Sequence, residues 1–322
     1  MEFITGSVIV GLIVAAIVGV GIGVLSGMLG VGGGTIMVPA FRLGFGLPAI
    51  GATATSLFSI VFISISGCIT HIRNKTCIIP VGVGAGIAGA LASPVGVYLA
   101  SISPAWAIML AAGLVIAYSS YTMFKKAIAL PSKKQREAAA AEAAAKAEAE
   151  AAAKAEGSEA SQVAAASDQA EGIGASGDKA AAGASKVSVK EVEASRDFFR
   201  KDRLWLCLPI GLLAGVCSGY VGVGGGFIMV PMFLAFLAVP MRYASGTSLL
   251  AILILAIPGV ITQMALGNVD YLVSIATIIG AVPGAVLGAN LSKRVPERTL
   301  RFMFATLLLI CAVVLVVNEM VL

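Results

Sequence analysis

The sequence has very little charge for its length, and this shortage excludes most classes of soluble protein. Only 12% of the 322 residues are charged, whereas 58% are hydrophobic; a typical soluble domain has about 25% charged residues. Segment 128–203 alone holds 12 of the 22 Lys and Arg residues and 13 of the 17 Asp and Glu residues. The rest of the chain cannot cover the surface of a soluble enzyme or a nucleic-acid-binding protein. We therefore predict an all-α polytopic membrane protein of the cell membrane.

Buried carboxylates and metal-binding side chains are also scarce. The acids of the apolar regions are Glu2, Asp270, Glu297 and Glu319, all near chain ends or loops. The five cysteines include no C-x-x-C pair, so a disulfide framework or a zinc site is excluded. Cation transport needs buried carboxylates; their scarcity favours an anionic substrate, without metal or cofactor.

The chain divides into three zones. Residues 1–127 and 204–322 are apolar, and we predict each to be a membrane repeat. The intervening 128–203 is rich in Ala, Glu and Lys and then in Gly and Ser, which predicts a partly disordered linker. Apolar stretches near the 20 residues that a spanning helix needs are 77–100, 105–124, 243–265, 271–291 and 299–317.

A glycine-rich segment occurs twice, once in each apolar half. Residues 27–41, GMLGVGGGTIMVPAF, match residues 219–233, GYVGVGGGFIMVPMF, at 11 of 15 positions. The same offset, without a gap, aligns the Thr-Ser pair at 55–56 with the pair at 247–248. Such internal repeats are typical of transporters.

Each glycine motif interrupts an apolar stretch that is too long for one span. Neither 3–41 nor 204–241 contains a charged residue. Glycine permits positive φ and close backbone approach, so we interpret each stretch as a helical hairpin broken at the glycines. A second set of small residues predicts tight helix crossing, namely Gly19, Gly23, Gly211 and Gly215.

Loop charges indicate that the two halves are oppositely oriented. Loop 71–77 carries two basic residues, whereas its copy, 266–270, carries no basic residue. Loop 100–104 carries no basic residue, whereas its copy, 292–298, carries three. The positive-inside rule then places 71–77, 292–298 and the linker in the cytoplasm and both termini outside. We predict two inverted-topology repeats, each a Gly-broken helical hairpin plus three transmembrane helices.

The two breaks are the candidate substrate site. Irregular backbone in a membrane survives only where it is buried in protein or lines a cavity, and the N–H groups that begin a helix favour an anion. The alternative for the glycines is a role in helix packing alone. The alternative for the hydroxyls that follow them is hydrogen bonding to carbonyls of the same helix. The predicted substrate-binding residues are Gly30, Gly32, Gly33, Gly34, Thr55, Ser56, Gly222, Gly224, Gly225, Gly226, Thr247 and Ser248.

His71 is the only histidine of the chain. It lies at the predicted cytoplasmic end of a span, which makes it a candidate for proton coupling. The alternative is an interfacial hydrogen-bonding role. Its repeat partner, Gln263, cannot titrate, so a proton role would be asymmetric.

The doubled G-x-x-G-x-G-G-G-x-x-x-V-P motif, followed by ATATSL at 52–57 and ASGTSL at 244–249, resembles the sulfite exporter TauE/SafE family of permeases. The resemblance covers both membrane halves and leaves out 128–203, which is longer than the expected connection. It implies transport of small sulfur-containing anions or organic acids, such as sulfite and sulfonates.

Three other functions remain open at this point. An anion channel could use the same hairpins as a filter, and saturable counterflow would distinguish it from a secondary transporter. A membrane-embedded thiol enzyme could use Cys68, Cys77 or Cys217, although no cysteine recurs at its repeat-matched position. The third is a non-transporting scaffold. We expect a small anion and the lipid bilayer as partners, no nucleic acid, and no enzymatic activity.

Overall fold

The computed structural model describes residues 2–128, 205–237 and 239–321. Within these residues ten α-helices form and none of the residues lies in a β-strand, which confirms the predicted all-helical architecture. The predicted linker, apart from Ile128, lies outside the described residues. The helices are α1 Glu2–Leu29, α2 Gly34–Phe45, α3 Ala49–Arg73, α4 Ile79–Ile102, α5 Ala105–Ile128, α6 Cys207–Val221, α7 Gly226–Phe236, α8 Met241–Ala265, α9 Tyr271–Leu291 and α10 Glu297–Val321.

Five of these helices are long and apolar enough to cross a bilayer. They are α3, α4, α8 and α9 over their whole lengths, and α1 over Val10–Leu29. A helix suits such sequences because it satisfies every interior backbone N–H and C=O group without water. At 1.5 Å per residue, 20 residues span about 30 Å, the thickness of the hydrocarbon core. The architecture is that of a multi-pass membrane protein.

Both long apolar stretches are broken at the glycine motif, as predicted from the sequence. α1 ends at Leu29 and α2 begins at Gly34, while α6 ends at Val221 and α7 begins at Gly226. With 12 and 11 residues, α2 and α7 are about 18 Å long and too short to cross a hydrocarbon core. Each is therefore a short helix whose N-terminus lies at the break.

Equivalent helices of the two halves make equivalent contacts. α1 packs on α9 of the other half, and α6 packs on α4. α3 contacts α9 as α8 contacts α4, while the pairs α3–α8 and α5–α10 join equivalent helices directly. The two halves are thus interleaved, and exchanging them leaves the main helix pairings unchanged.

Glycines allow the closest of these helix pairs. A Cβ on Gly23 would lie 2.2 Å from the carbonyl oxygen of Ala281 in α9, and one on Gly215 would lie 2.2 Å from that of Gly89 in α4. A methyl group fits at neither position, so the backbones approach closely and gain van der Waals attraction. The predicted role in helix crossing is confirmed here and at the two other sites, Gly19 and Gly211.

The connections between helices group at two ends of the bundle. At one end, the Asn74 side-chain amide after α3 donates to Oδ1 of Asn290 near the end of α9, at 3.0 Å. At the other end, the backbone N–H of Asp270 before α9 donates to Oγ1 of Thr55 near the start of α3, also at 3.0 Å. Loops 71–77 and 292–298 therefore belong to the first end, and loop 266–270 belongs to the second.

Candidate functional site

Each break consists of glycines in the left-handed region of backbone conformation. Their φ angles lie between +72° and +83°, where a side chain costs about 1–2 kcal/mol per residue. Gly33 and Gly225 are the N-caps of the short helices that follow, and neither cap has a side-chain hydrogen bond. The first N–H groups of both short helices are therefore left without a side-chain cap. The six glycines are Gly30, Gly32, Gly33, Gly222, Gly224 and Gly225.

The two breaks contact each other at the centre of the bundle. A Cβ on Gly34 would lie 2.4 Å from the carbonyl oxygen of Val223, and one on Gly226 would lie 2.6 Å from that of Val31. The first residue of each short helix therefore rests on the backbone of the opposite break. The side chains of Ile60 and Ile252, which occupy matched positions, lie against this contact at four of the eight predicted glycines, namely Gly32, Gly34, Gly224 and Gly226.

The two predicted threonines hold the starts of α4 and α9. Oγ1 of Thr247 accepts a hydrogen bond from the N–H of Ile78 at 3.0 Å and donates to the carbonyl of Tyr243 at 2.7 Å. Oγ1 of Thr55 accepts from the N–H of Asp270 at 3.0 Å. Each threonine thus satisfies the amide of the residue that precedes a helix, away from the breaks.

The two predicted serines differ from each other. Oγ of Ser248 lies 2.7 Å from the carbonyl oxygen of Gly30 and 2.9 Å from that of Ser245, so Ser248 contacts the first break directly. Its copy, Ser56, is completely buried, and its Oγ has no hydrogen-bond partner among the described residues. The partner expected from the repeat is the carbonyl of Gly222.

Two further serines lie at the breaks and were not among the residues predicted from the sequence. Ser26 and Ser218 occupy matched positions in the last turns of α1 and α6, and their carbonyl oxygens accept from Gly30 and Gly222 N–H, each at 2.8 Å. Both side chains are buried, and neither Oγ has a hydrogen-bond partner within the described part of the chain. The repeat alignment pairs them in the sequence, which is the signal that could have identified them.

His71 contacts the helix that leads into the first break. Its Nε2 lies 2.8 Å from the carbonyl oxygen of Gly27, and its Nδ1 lies 2.8 Å from Oγ1 of Thr76. Because a carbonyl only accepts, we assign the Nε2 hydrogen to the bond with Gly27. Gln263, the copy of His71, instead accepts from the Asn268 side chain at 2.8 Å.

A cavity of about 90 Å³ opens beside the second break. It lies between the start of α3 and the ends of α4, α6 and α8, on the side of loop 266–270. Thr53 lines it and also contacts Gly222, where a Cβ would lie 2.3 Å from Cβ of Thr53. Polar lining comes from Thr53, Ser101, Tyr220, Gln263 and Asn268.

Within the described residues, no group of three His, Cys, Asp or Glu side chains lies close enough to hold a metal ion. All five cysteines are free thiols. The polar atoms at the breaks are thus backbone amides, backbone carbonyls and the hydroxyls of serine and threonine.

Comparison with known proteins places the chain in a family. The profile of the sulfite exporter TauE/SafE family matches residues 15–315. The probable membrane transporter proteins YunE and YdhB of Bacillus subtilis are 21% and 23% identical to the chain, covering 89% and 87% of it and 91% and 90% of their own lengths. Sulfite exporter TauE/SafE family protein 3 of Arabidopsis thaliana is 30% identical over 36% of the chain and 25% of its own length.

No solved structure shows a significant match to this chain. The family profile, however, spans both membrane halves and both glycine breaks, and the relatives are named as membrane transporters. The chain therefore belongs to the sulfite exporter TauE/SafE family of membrane transporters.

Proposed function

We propose that the protein is a secondary transporter of a small anion, sulfite or an organosulfonate or organic acid, and that the anion binds at the two glycine breaks. The observation that carries this proposal is the meeting of two helix N-termini. α2 and α7 both begin at the contact between the breaks, beside Ile60 and Ile252 midway along α3 and α8. Like the family to which it belongs, it would act as a permease rather than as an enzyme.

The electrostatics of this arrangement favour an anion. Each helix N-terminus carries the equivalent of roughly half a positive charge. Two such ends brought together in an apolar bundle repel each other unless negative charge lies between or beside them. A small oxyanion can accept hydrogen bonds from the first amides of both helices, which no side chain caps.

The acidic residues of the membrane halves do not compete with an anion at the breaks. Their four acids lie near chain ends or loops, so no carboxylate at the breaks would repel an anion or bind a cation. Serine hydroxyls and backbone amides donate hydrogen bonds without carrying a full charge. Such donors bind an anion weakly enough for release, which transport requires.

An inverted repeat is supported by the helix pairings. Exchange of the halves leaves the main pairings unchanged, as expected for two copies related by an axis in the membrane plane. Loops 71–77 and 292–298, which carry basic residues, belong to one end of the bundle, as the Asn74–Asn290 bond indicates. We assign that end to the cytoplasm by the positive-inside rule, with the linker inside and both termini outside.

Alternating exposure is favoured over a continuous pore by the unequal surroundings of the two breaks. The 90 Å³ cavity reaches Thr53, which contacts the second break at Gly222, from the side of loop 266–270, whereas Ser248 and His71 bond to the backbone near the first break. A channel would have an open path through both sides at once. Proton coupling through His71 stays a prediction, which flux measured with and without a pH gradient addresses.

Flux into proteoliposomes tests the proposal. Radiolabelled sulfite would be offered to vesicles containing the purified full chain, with sulfoacetate, taurine, sulfate or a dicarboxylate as competitors. We expect saturable uptake that one competitor inhibits, and counterflow stimulated by unlabelled substrate inside the vesicles. Non-saturable flux without counterflow would favour the channel, and absence of flux for every anion would refute the proposal.

A further inference from the structure

We propose that the hydroxyl groups of Ser26 and Ser218 bind the transported anion, one at each break. This inference rests on the proposed function and identifies two of its ligands. It begins from an observation about burial. Ser26 and Ser218 are exposed by only 1% and 0%, and within the described residues neither hydroxyl has a hydrogen-bond partner.

Five buried hydroxyls lack a partner among the described residues, and Ser26 and Ser218 are the one repeat-matched pair among them; the others are Thr35, Ser56 and Ser64. Serine and threonine in membrane helices ordinarily donate to a carbonyl in the preceding turn. Ser59, Thr70 and Thr277 do so here, at distances of 2.8–3.0 Å. A buried hydroxyl without a partner costs about 1–3 kcal/mol, so two at matched positions require an explanation.

Their position supplies that explanation. Cβ of Ser26 lies 3.7 Å from the position of a Cβ on Gly33, and Cβ of Ser218 lies 3.4 Å from that on Gly225. These two glycines are the N-caps of α2 and α7. Each serine therefore stands beside a helix N-terminus that lacks a side-chain cap, where its hydroxyl can donate to an oxyanion together with the helix amides.

The first half offers one more hydroxyl at the same place. Thr35, the second residue of α2, is completely buried, and its Oγ1 is unpaired among the described residues. Its copy in α7 is Phe227, which is also completely buried. The polar ligands are therefore more numerous at the first break, so we expect Ser26 to contribute more to binding than Ser218.

Alanine substitutions test the assignment with two readouts. Ser26→Ala and Ser218→Ala would be compared in the sulfite flux assay and in thermal unfolding without substrate. Because a hydrogen bond to a charged group is lost, we expect KM to rise about tenfold, with the larger increase in Ser26→Ala. Unfolding temperature should stay constant or rise, since an unpaired buried hydroxyl is removed. Ser59→Ala is the control, because it removes a buried hydroxyl that already has a carbonyl partner.

The outcomes separate the two proposals. If the wild-type protein transports saturably while both variants keep its KM, the serines are not ligands, but the transport function stands. If KM is unchanged and the unfolding temperature falls, the hydroxyls have a structural role and the assignment is wrong. Absence of saturable flux for every anion in the wild-type protein would refute the transport proposal itself.

A different set of hydrogen bonds leads to a second inference. We infer that Ser248 and His71 form one gate, that Ser56 and Gln263 form its repeat-related counterpart, and that the two gates close in alternation. In this structure only the first is closed: Ser248 contacts the carbonyl of Gly30 at 2.7 Å, and His71 contacts that of Gly27 at 2.8 Å. Both bonds hold the end of α1 against α3 and α8.

The counterpart is open at the other end of the bundle. By the repeat, Ser56 and Gln263 would contact the carbonyls of Gly222 and Gly219. Instead Ser56 has no partner among the described residues, and Gln263 and Gly219 both line the cavity. The side chain of Gln263 accepts from Asn268. The cavity thus occupies the place where the bond from Gln263 to Gly219 would form.

Thiol labelling at a repeat-matched pair tests the gates without any substrate. Thr53 lines the cavity and is 8% exposed, whereas its copy Ser245 is completely buried. In a chain whose five cysteines are replaced, Thr53→Cys and Ser245→Cys would be labelled in detergent with a polar thiol reagent. We expect the first to react about tenfold faster, because reagent reaches it through the cavity and the closed gate excludes it from the second.

Opening the closed gate should reduce this difference in labelling rate. His71→Ala, added to Ser245→Cys, removes a gate bond and should increase labelling severalfold. Gln263→Ala is the control, because Gln263 makes no gate bond in this structure, and it should not increase labelling at Ser245→Cys. Equal reaction at the two positions, or no effect of His71→Ala in protein that elutes as a folded species, would refute the alternating gates.

Discussion

At the scale of single residues, the contact between the breaks depends on the absence of a side chain at Gly34. A Cβ there would lie 2.4 Å from the carbonyl oxygen of Val223 and 2.6 Å from Cδ1 of Ile60. The isoleucine could move, but the carbonyl belongs to the opposite break and cannot be displaced without separating the two. The site is therefore sensitive to a single methyl group.

We expect Gly34→Ala to separate the breaks and to reduce sulfite flux by about tenfold or more, with a destabilisation of about 1–3 kcal/mol from overpacking. Gly44→Ala in the same helix is the control, because nothing lies within 4 Å of a Cβ there. That change should leave flux unaltered. Flux assays and thermal unfolding of both variants provide the comparison, and wild-type flux in Gly34→Ala would show that the contact is not needed.

At the scale of helices, the pairs α1–α9 and α4–α6 are held together by small residues along their facing sides. Gly280 and Gly284 in α9 lie against carbonyl oxygens of α1. Gly23 in α1 lies similarly close to the carbonyl oxygen of Ala281 in α9. Lipid chains are as apolar as the helix surfaces, so the hydrophobic effect does not drive this association. Close backbone packing supplies the attraction, and it holds the break at the end of α1 in place.

Two glycines of α1, Gly21 and Gly23, allow this explanation of the helix packing to be tested. Gly23→Ala would place a methyl 2.2 Å from the carbonyl oxygen of Ala281, and we expect it to destabilise the folded protein by about 1–3 kcal/mol. Gly21→Ala places a methyl where nothing lies within 4 Å. It should be neutral or stabilise α1 by up to about 1 kcal/mol. Equal unfolding temperatures of the two variants would contradict the packing argument.

At the scale of the whole molecule, the interleaving of the halves determines which loops lie together. Because α1 packs on α9 and α6 on α4, neither half contains all the partners of its own broken hairpin. The basic loops 71–77 and 292–298 consequently share one end, and loop 266–270 shares the other with the cavity. The proposed orientation places the cavity on the outer side.

Cysteine labelling in intact cells checks this orientation. In a chain without native cysteines, Leu266→Cys should react with an impermeant reagent from outside, since Leu266 is 59% exposed at the cavity end. Lys293→Cys should react only after permeabilisation, because it lies in a basic loop at the opposite end. The reverse pattern would overturn the proposed orientation but would leave the interleaved fold intact.

Much of this organisation follows from local features of the sequence. Apolar runs of span length specify the long helices, because a helix is the form that satisfies their backbone in lipid. The repeated glycines specify the breaks, since successive positive φ angles at Gly32 and Gly33 are readily adopted only by glycine. The repeat also predicts that equivalent helices, such as α3 and α8, make equivalent contacts.

What the tertiary structure alone decided is how the matched side chains are used. Thr55 and Thr247 bond to helix-start amides, whereas the unpaired hydroxyls at the breaks belong to Ser26 and Ser218. Ser248 meets Gly30 across 218 positions of chain, while its copy Ser56 has no such bond. A repeat makes two positions equivalent in sequence, but the tertiary contacts of this structure give them different surroundings. Hydrogen bonds between distant segments depend on the tertiary conformation, and local sequence does not encode it.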